Sequence, residues 1–247
     1  MKILAVTCYT GGEDLVQMTE RCVESLWSCK SFMKMDIFAI GQGVTRAQFE
    51  SAGTVHPKNH GFAWGMNEAI QDGVTEFGRP DYVLCFNNDL EFPNPDWLQL
   101  LLEAARSDRI TVPVTDKTAL HKQARAVDKP SFDVQEASAY CWLVPFEWCL
   151  FLKQFYGWWL FDPEFFAFGE DNKTAWLLSK AYGPKIFRMV PRSFVKHLRH
   201  QTSDVVKPDR RKSSRLLRTF LQAELSDPKL RRDLRDWAQR YLKILKR

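Results

Sequence analysis

Tyr82-Val83-Leu84-Cys85-Phe86, followed by Asn87-Asn88-Asp89, decides the fold. An uncharged apolar run of this length, closed by turn-forming residues, is the signature of a strand buried on both faces. Such strands belong to sheets with helices on either side. Toward the amino terminus the pattern alternates accordingly. Residues 61–72 read as a helix ending at Gly73, 54–56 as a short strand and 45–52 as a short helix. Residues 36–40 are β-like until Gly41-Gln42-Gly43 interrupts them. Residues 14–29 carry Leu15, Met18, Cys22 and Leu26 at helical spacing, and 2–7 form a further β-prone run. On the other side follow a helix at 96–107 and a strand at 110–114. Strand alternating with helix predicts an α/β fold, a mostly parallel, doubly wound sheet flanked by helices. Ligands of such sheets bind beyond the carboxyl ends of the strands, which is where Asn87-Asn88-Asp89 stands.

Beyond Thr115 the alternation fades. Residues 116–136 are polar and aperiodic, a loop or hairpin. From Tyr140 to Phe168, 13 of 29 residues are aromatic. Helices are expected at 147–154 and 170–181, β-runs at 185–190 and 193–197, and a linker at 204–212. Two helices should close the chain, at 213–225 and 228–246. The second starts with Asp227 as N-cap and Pro228 at the first helical position. Leu230, Leu234, Trp237, Tyr241 and Ile244 share one face of it, with Arg and Lys around them.

At 247 residues with 45% hydrophobic and 26% charged residues, the chain is of globular type. Its net charge of +5 is unevenly spread. From Lys207 onward 14 basic residues face 5 acidic ones, a net of +9, so the preceding residues carry −4. Cys8, Cys22, Cys29, Cys85, Cys141 and Cys149 form no metal-type pair or dense disulfide framework, which fits a reducing cytoplasm. The opening Met1 to Val6 is too short and polar-flanked for a signal peptide, and no apolar stretch reaches membrane-spanning length.

Four segments carry candidate chemistry. Asp89, with Asn87 and Asn88, can hold a divalent cation that in turn holds a diphosphate; the plainer reading is an Asx turn. Glu170 and Asp171, after Gly169, can supply a general base, or simply compensate a helix dipole. His197, at the end of an apolar run and followed by His200, can complete a metal site or end a strand. In Asn59-His60-Gly61-Phe62-Ala63-Trp64-Gly65-Met66-Asn67, Gly61 and Gly65 allow backbone to approach a ligand at a helix start. That segment lacks the Walker ending and the dinucleotide fingerprint.

Taken in this order, the segments resemble the family-2 glycosyltransferases of GT-A fold, rhamnosyltransferase-like members in particular, over residues 2–202. Asn59, Gly61, Phe62, Gly65 and Asn67 match that family's N-x-G-F-x-x-G-x-N segment. Asn87-Asn88-Asp89 matches its Asp-x-Asp position, and Phe161-Asp162-Pro163-Glu164-Phe165-Phe166 with Glu170-Asp171 matches its acceptor-side segment. The resemblance implies a nucleotide-sugar donor and a divalent metal, Mn²⁺ or Mg²⁺, held by Asp89 and His197. It implies inverting transfer with Asp171, next to Glu170, as base. Thr7, Tyr9 and Gln42 would join Asn59, Gly61, Gly65, Asn67, Asn87, Asn88 and Asp89 around the donor. Gly41-Gln42-Gly43-Val44-Thr45 lacks the carboxylate usual there, and Asn172-Lys173-Thr174 replaces the usual Asp and Arg after the acidic pair.

Trp158 and Trp159, adjacent and next to the acidic segment, cannot easily both point inward, so one is a candidate platform for the acceptor. The expected division is a glycosyltransferase domain at 1–206 (donor half 1–115, acceptor half 116–206) and a basic helical extension at 207–247. That extension can be a solvated charged face without a function; otherwise it suits a nucleic acid, such as a hydroxymethylated base in viral DNA, or an anionic membrane surface presenting a lipid-linked glycan. Its apolar stripe can instead pack on the catalytic domain. A binding module without activity is the alternative of another class.

Overall fold

Lys2–Thr10 forms β1, and its side chains alternate between two cores. Leu4, Val6 and Cys8 enter one, Ile3 and Ala5 the other. The computed structural model describes residues 1–29, 34–44, 52–116, 128–198 and 209–245. The expected helix at 45–52 lies outside these except for Ala52, as do residues 204–208 of the linker and His200.

The strands after β1 are β2 (Lys34–Gln42), β3 (Ala52–His56), β4 (Tyr82–Phe86), β5 (Leu90–Glu91), β6 (Ile110–Val114), β7 (Phe132–Val134), β8 (Cys141–Pro145), β9 (Phe187–Phe194) and β10 (Lys196–His197). Helices are α1 (Glu13–Ser28), α2 (Phe62–Phe77), α3 (Trp97–Glu103), α4 (Phe146–Tyr156), α5 (Glu170–Tyr182), α6 (Arg210–Leu225) and α7 (Arg232–Ile244). The main sheet runs β3-β2-β1-β4-β8-β6-β9-β7. β3, β2, β1 and β4 are mutually parallel, β8 is antiparallel to both neighbours, and β9 is parallel to β6. The fold is therefore α/β with a mostly parallel sheet, as the alternation implied. Buried residues of α1 and α3 fill one face; those of α2, α4, α5, α6 and α7 fill the other. All six cysteines are free and buried.

Several expectations are corrected. The helix at 61–72 runs through Gly73 to Phe77, because a Cβ at Gly73 would stand 2.8 Å from Leu4. Gly73 is thus a close helix–sheet contact, not a helix end. β2 continues through Gly41 to Gln42, since that glycine leaves room for the Tyr9 phenol, whose hydroxyl stands 2.8 Å from where its Cβ would be. The stretch 141–145, read only as part of an aromatic-rich region, is the central antiparallel strand. Residues 187–194 form one strand where two runs were expected. Finally, Asp227 does not cap the last helix. Its carboxylate accepts from Lys229 N at 2.9 Å and its carbonyl from Leu230 N at 3.2 Å, a turn that buries Leu230 before α7 starts at Arg232.

The last two helices join the same core. Trp237 is 3% exposed and stacks on Trp176 of α5 at 5.0 Å. Leu217, Leu221, Leu230 and Leu234 are buried beside it, while Ile244, expected on the same stripe, is exposed. Glu224 accepts from Trp176 Nε1 at 3.0 Å and from Lys180 Nζ at 2.8 Å. Among the described residues no helix is long and apolar enough to cross a membrane.

Candidate active site

The parallel strands β1, β2, β3 and β4 end on one edge of the sheet, and the candidate residues gather there. Asp89 follows β4 and is 6% exposed. Antiparallel pairing of β10 with β5 places His197 opposite Leu90, and Leu198 N donates to the Asp89 carbonyl at 2.9 Å. His197 Nε2 consequently lies 3.0 Å from Asp89 Oδ1. That oxygen is fully buried and makes no aligned hydrogen bond. An orphaned carboxylate oxygen facing an imidazole nitrogen suits two ligands that converge on a cation. Among the described residues no third His, Cys, Asp or Glu joins them. Two protein ligands suffice for an ion whose other positions are filled by substrate phosphate and water, so these residues fit such a metal.

Asp171 opens α5 with Glu170, and their environments differ. Asp171 Oδ1 accepts from Asn172 N and Asn172 Nδ2, both at 2.8 Å, and Oδ2 accepts from Ala139 N at 3.4 Å. Glu170 is 7% exposed, and its Oε2 has no partner. Burial, reinforced by the neighbouring Asp171 charge, pushes the Glu170 carboxyl up to about 8. Burial raises Asp171 as well, against the pull of its N–H donors. The proton of the pair therefore sits on Glu170, and Asp171, held by donors, carries the charge.

A stability consequence follows from Glu170. Its carboxyl binds a proton more tightly folded than unfolded, so its contribution is greatest below the ordinary value near 4.5 and is lost as pH rises toward about 8. Glu170→Gln should match the parent in melting temperature at pH 4 and exceed it at pH 8. Parallel curves for the two proteins from pH 4 to 9 would contradict this.

Residues 139–140, which sequence reasoning missed, connect the two clusters. Ala139 N reaches Asp171, the Tyr140 carbonyl accepts from Asn87 N at 2.9 Å, and the Tyr140 ring stacks on His197 at 5.7 Å. Tyr140 OH is anchored on the Pro113 carbonyl at 2.6 Å. The apolar run beginning at Tyr140 was the available signal for a buried strand entering the site.

The Asn59 to Asn67 segment proves to be a brace. Gln42 is 2% exposed; its Nε2 donates to the Gly61 carbonyl at 3.1 Å and its Oε1 accepts from His60 N at 2.8 Å. Its amide is thus committed at both ends, which corrects its reading as an open base contact. Asn59 Oδ1 accepts from Gly61 N at 2.9 Å, and Nδ2 donates to Thr10 Oγ1 at 3.2 Å. Asn67 accepts from Leu160 N and Phe161 N and donates to the Phe161 carbonyl at 2.6 Å. The two glycines face protein as well. A Cβ at Gly61 (φ +98°) would stand 2.4 Å from the Phe166 carbonyl, and one at Gly65 2.4 Å from Gln42 Nε2. The segment thereby holds 160–166, the approach to Glu170-Asp171, against the strand ends.

Other expectations change too. Thr7 and Tyr9 are enclosed, Thr7 fully and Tyr9 at 3% exposure among Val16, Ala39 and Val44, so neither side chain faces an open site. Asn88 is buried and donates to Thr19 Oγ1 at 2.9 Å, whereas Asn87 is half-buried. Trp159 is inward: it is 8% exposed, donates to Gln71 Oε1 at 3.0 Å and stacks on Phe146. Trp158 is half-buried, with the Lys173 ammonium 5.4 Å from its ring centre. Lys173 is itself paired with the buried Asp162.

The tail abuts the acidic pair. Ser213 Oγ donates to the Ala167 carbonyl at 2.6 Å, and the Arg210 guanidinium lies 4.4 Å over the Phe168 ring. Phe168 takes a left-handed φ of 68°, and Gly169 follows at 93°, turning the chain into α5.

No known family's sequence pattern matches the chain, and no curated protein matches it in sequence. Solved structures do match in fold. A mannosyltransferase from Pyrobaculum calidifontis, determined with GDP-Man and Mn²⁺, superposes with a TM-score of 0.65 at 12% identity, over 99% of this chain and 73% of that one. Staphylococcus aureus TarS gives 0.56 at 13% identity over 98% of this chain, which spans 43% of TarS. Glucosyl-3-phosphoglycerate synthase of Mycobacterium tuberculosis gives 0.53 at 13% identity, over 90% and 79% of the two chains. The chain has the GT-A-type fold of these glycosyltransferases.

Proposed function

We propose that the protein is an inverting glycosyltransferase that moves a sugar from a nucleotide-sugar donor to an acceptor hydroxyl. The observation carrying this reading is Asp89 with His197 on one side of residues 139–140 and the donor-held Asp171 carboxylate on the other. The fold neighbours determined with GDP-Man and Mn²⁺, and with UDP-Glc and Mn²⁺, support the nucleotide-sugar and divalent-metal part of this reading.

Asp89 and His197 would hold the divalent ion, with Asn87 at the donor side. When bound, Mn²⁺ or Mg²⁺ supplies Lewis-acid neutralisation of the leaving diphosphate. Asp171 takes the proton of the acceptor hydroxyl as its oxygen attacks the anomeric carbon. The bond from that carbon to the diphosphate breaks, and its electron pair leaves with the nucleotide. Gln42, Asn59, Gly61, Gly65 and Asn67 act by keeping 160–166 in register with the strand ends. Glu170, protonated, adds no second charge beside the base. The labour divides into donor binding by 1–115, catalysis and acceptor binding by 116–206, and acceptor delivery by 207–247.

The acceptor is a polyanion, nucleic acid carrying a base hydroxymethyl group being the instance best suited to a hydroxyl nucleophile. Arg210, Arg211 and Lys212 are exposed beside the loop that leads into Glu170-Asp171, and Arg215, Arg232, Arg240 and Lys243 extend the charge. Trp237, which would anchor a membrane-surface helix, is buried instead. The test incubates the protein with UDP-, GDP- and dTDP-sugars, Mn²⁺ and four acceptors: plain DNA, hydroxymethylated DNA, lipid-linked glycan and simple sugars. Transfer to hydroxymethylated DNA that weakens steeply as salt rises is expected. Transfer to lipid-linked glycan alone overturns the acceptor. Neither turnover nor Mn²⁺-dependent nucleotide binding with any donor overturns the enzyme.

A further inference from the structure

At the carboxyl ends of β1 and β2 the loop 59–61 is tied to both strands. His60 N donates to Gln42 Oε1 at 2.8 Å, and Gln42 Nε2 donates to the Gly61 carbonyl at 3.1 Å. Asn59 Nδ2 donates to Thr10 Oγ1 at 3.2 Å, and that hydroxyl donates in turn to the Gln42 carbonyl at 2.7 Å. The backbone about His60 is thereby fixed to Thr10 and Gln42, the last residues of the two strands, yet His60 itself is exposed. Its ring lies against Trp64 of α2, with centroids 4.5 Å apart and planes at 42°. Trp64 is steadied by His56, the last residue of β3, which meets it edge-on at 4.7 Å. An exposed π-surface on an immobilised backbone is preorganised for a flat partner, because little freedom remains to be lost on binding. Neighbouring rings at this edge are engaged elsewhere: Tyr9 is enclosed, and Phe62 packs on Phe161 at 5.5 Å.

We infer that His60, backed by Trp64, is the surface on which the nucleobase of the donor stacks. This deepens the reading of the protein as a nucleotide-sugar enzyme and rests on it. The spacing suits the ligand. His60 is bonded to the end of β2, whereas Asp89 follows β4, and the sheet order β2-β1-β4 puts two strand spacings between them. At about 4.8 Å each these give roughly 10 Å, a separation that an extended nucleoside diphosphate bridges. The diphosphate would then lie toward Asp89 and the base toward His60, along the carboxyl ends of the strands, where ligands of such sheets bind. Every base has a π-face, so the stack itself accepts uracil, guanine or thymine. Gln42 contributes by holding the backbone of His60, its amide being used at both ends.

The test titrates the full chain, in Mn²⁺, with UDP, GDP, dTDP and inorganic pyrophosphate by calorimetry. His60→Ala should weaken the nucleoside diphosphate that binds the parent best by roughly 5–150-fold, the loss that follows removal of one base–aromatic stack. Pyrophosphate, which has no base, should bind with parental affinity. The melting temperature should stay at the parental value, because the ring is exposed. His60→Phe keeps a π-face without the ring nitrogens and should restore nucleotide affinity. Unchanged nucleotide affinity in His60→Ala overturns the inference. So does an equal loss for pyrophosphate, which would place the effect at the phosphates, and so does a His60→Phe protein as weak as His60→Ala. The two levels separate in the parent: if it binds none of the three nucleoside diphosphates, the donor reading falls and this inference with it. A parent that binds nucleotide beside an equally tight His60→Ala removes only the role of His60.

Discussion

Asp171→Asn should lower turnover by about 10²–10⁴-fold, the contribution typical of a positioned general base. Asparagine is nearly isosteric, and its side-chain oxygen still accepts from Asn172, so the loop at the start of α5 is retained. What is lost is the basic oxygen pair. The protein should still bind nucleotide in the presence of Mn²⁺ with parental affinity, because the proposed mechanism uses Asp171 on the acceptor and not on the donor. Asp89→Ala should do the reverse and remove metal-dependent nucleotide binding. Calorimetric titration of nucleoside diphosphate with and without Mn²⁺, beside steady-state rates, reads both. Parental turnover in Asp171→Asn, or parental metal dependence in Asp89→Ala, would break the assignment.

Trp237→Ala should destabilise the protein by about 3–5 kcal/mol, the range for removing a large buried aromatic side chain. In a chain of this size that lowers the melting temperature by roughly 6–20 °C. The reason is that the indole is 3% exposed and stacked on Trp176, which is itself fully buried. Were α6 and α7 an appendage joined only by a linker, the substitution would melt the tail and leave the main transition in place. A single transition shifted downward is the expected thermogram. An unshifted main transition would show that the tail is dispensable to the core.

How far the sequence reaches can be judged from particular residues. The strand at 82–86 and the helices at 13–28 and 170–182 were legible because local period and burial agree. Gly73 and Gly41 misled because each answers to a distant neighbour, Leu4 or Tyr9, and not to the chain around it. The same holds in the site. Asp89, His197, Glu170 and Asp171 stood out by residue type, and pairing of β10 with β5 supplies the geometry that type alone lacks. The structural task of Asn67 could not be read, since its partners are Leu160 and Phe161. Nor could the choice between Trp158 and Trp159, which depends on Gln71 and Lys173. The net charge of the tail was visible in composition, whereas the burial of its apolar stripe depends on Trp176 far upstream.

The pairing of β5 with β10 also sets an order of events during synthesis. Ribosomes make chain from the amino end at about 5–20 residues per second, so His197 follows Asp89 by roughly 5–20 s. Over that interval β1 to β4 can assemble as a sequential parallel unit, each strand joining one already made. Asp89 then follows a β4 whose outer edge stays open until β8 pairs with it, and it lacks its imidazole partner. Trp176 waits in the same way for Trp237. The nascent protein therefore acquires strands β1 to β4 first, and the Asp89–His197 contact and the Trp176–Trp237 stack only once residues 197 and 237 have emerged.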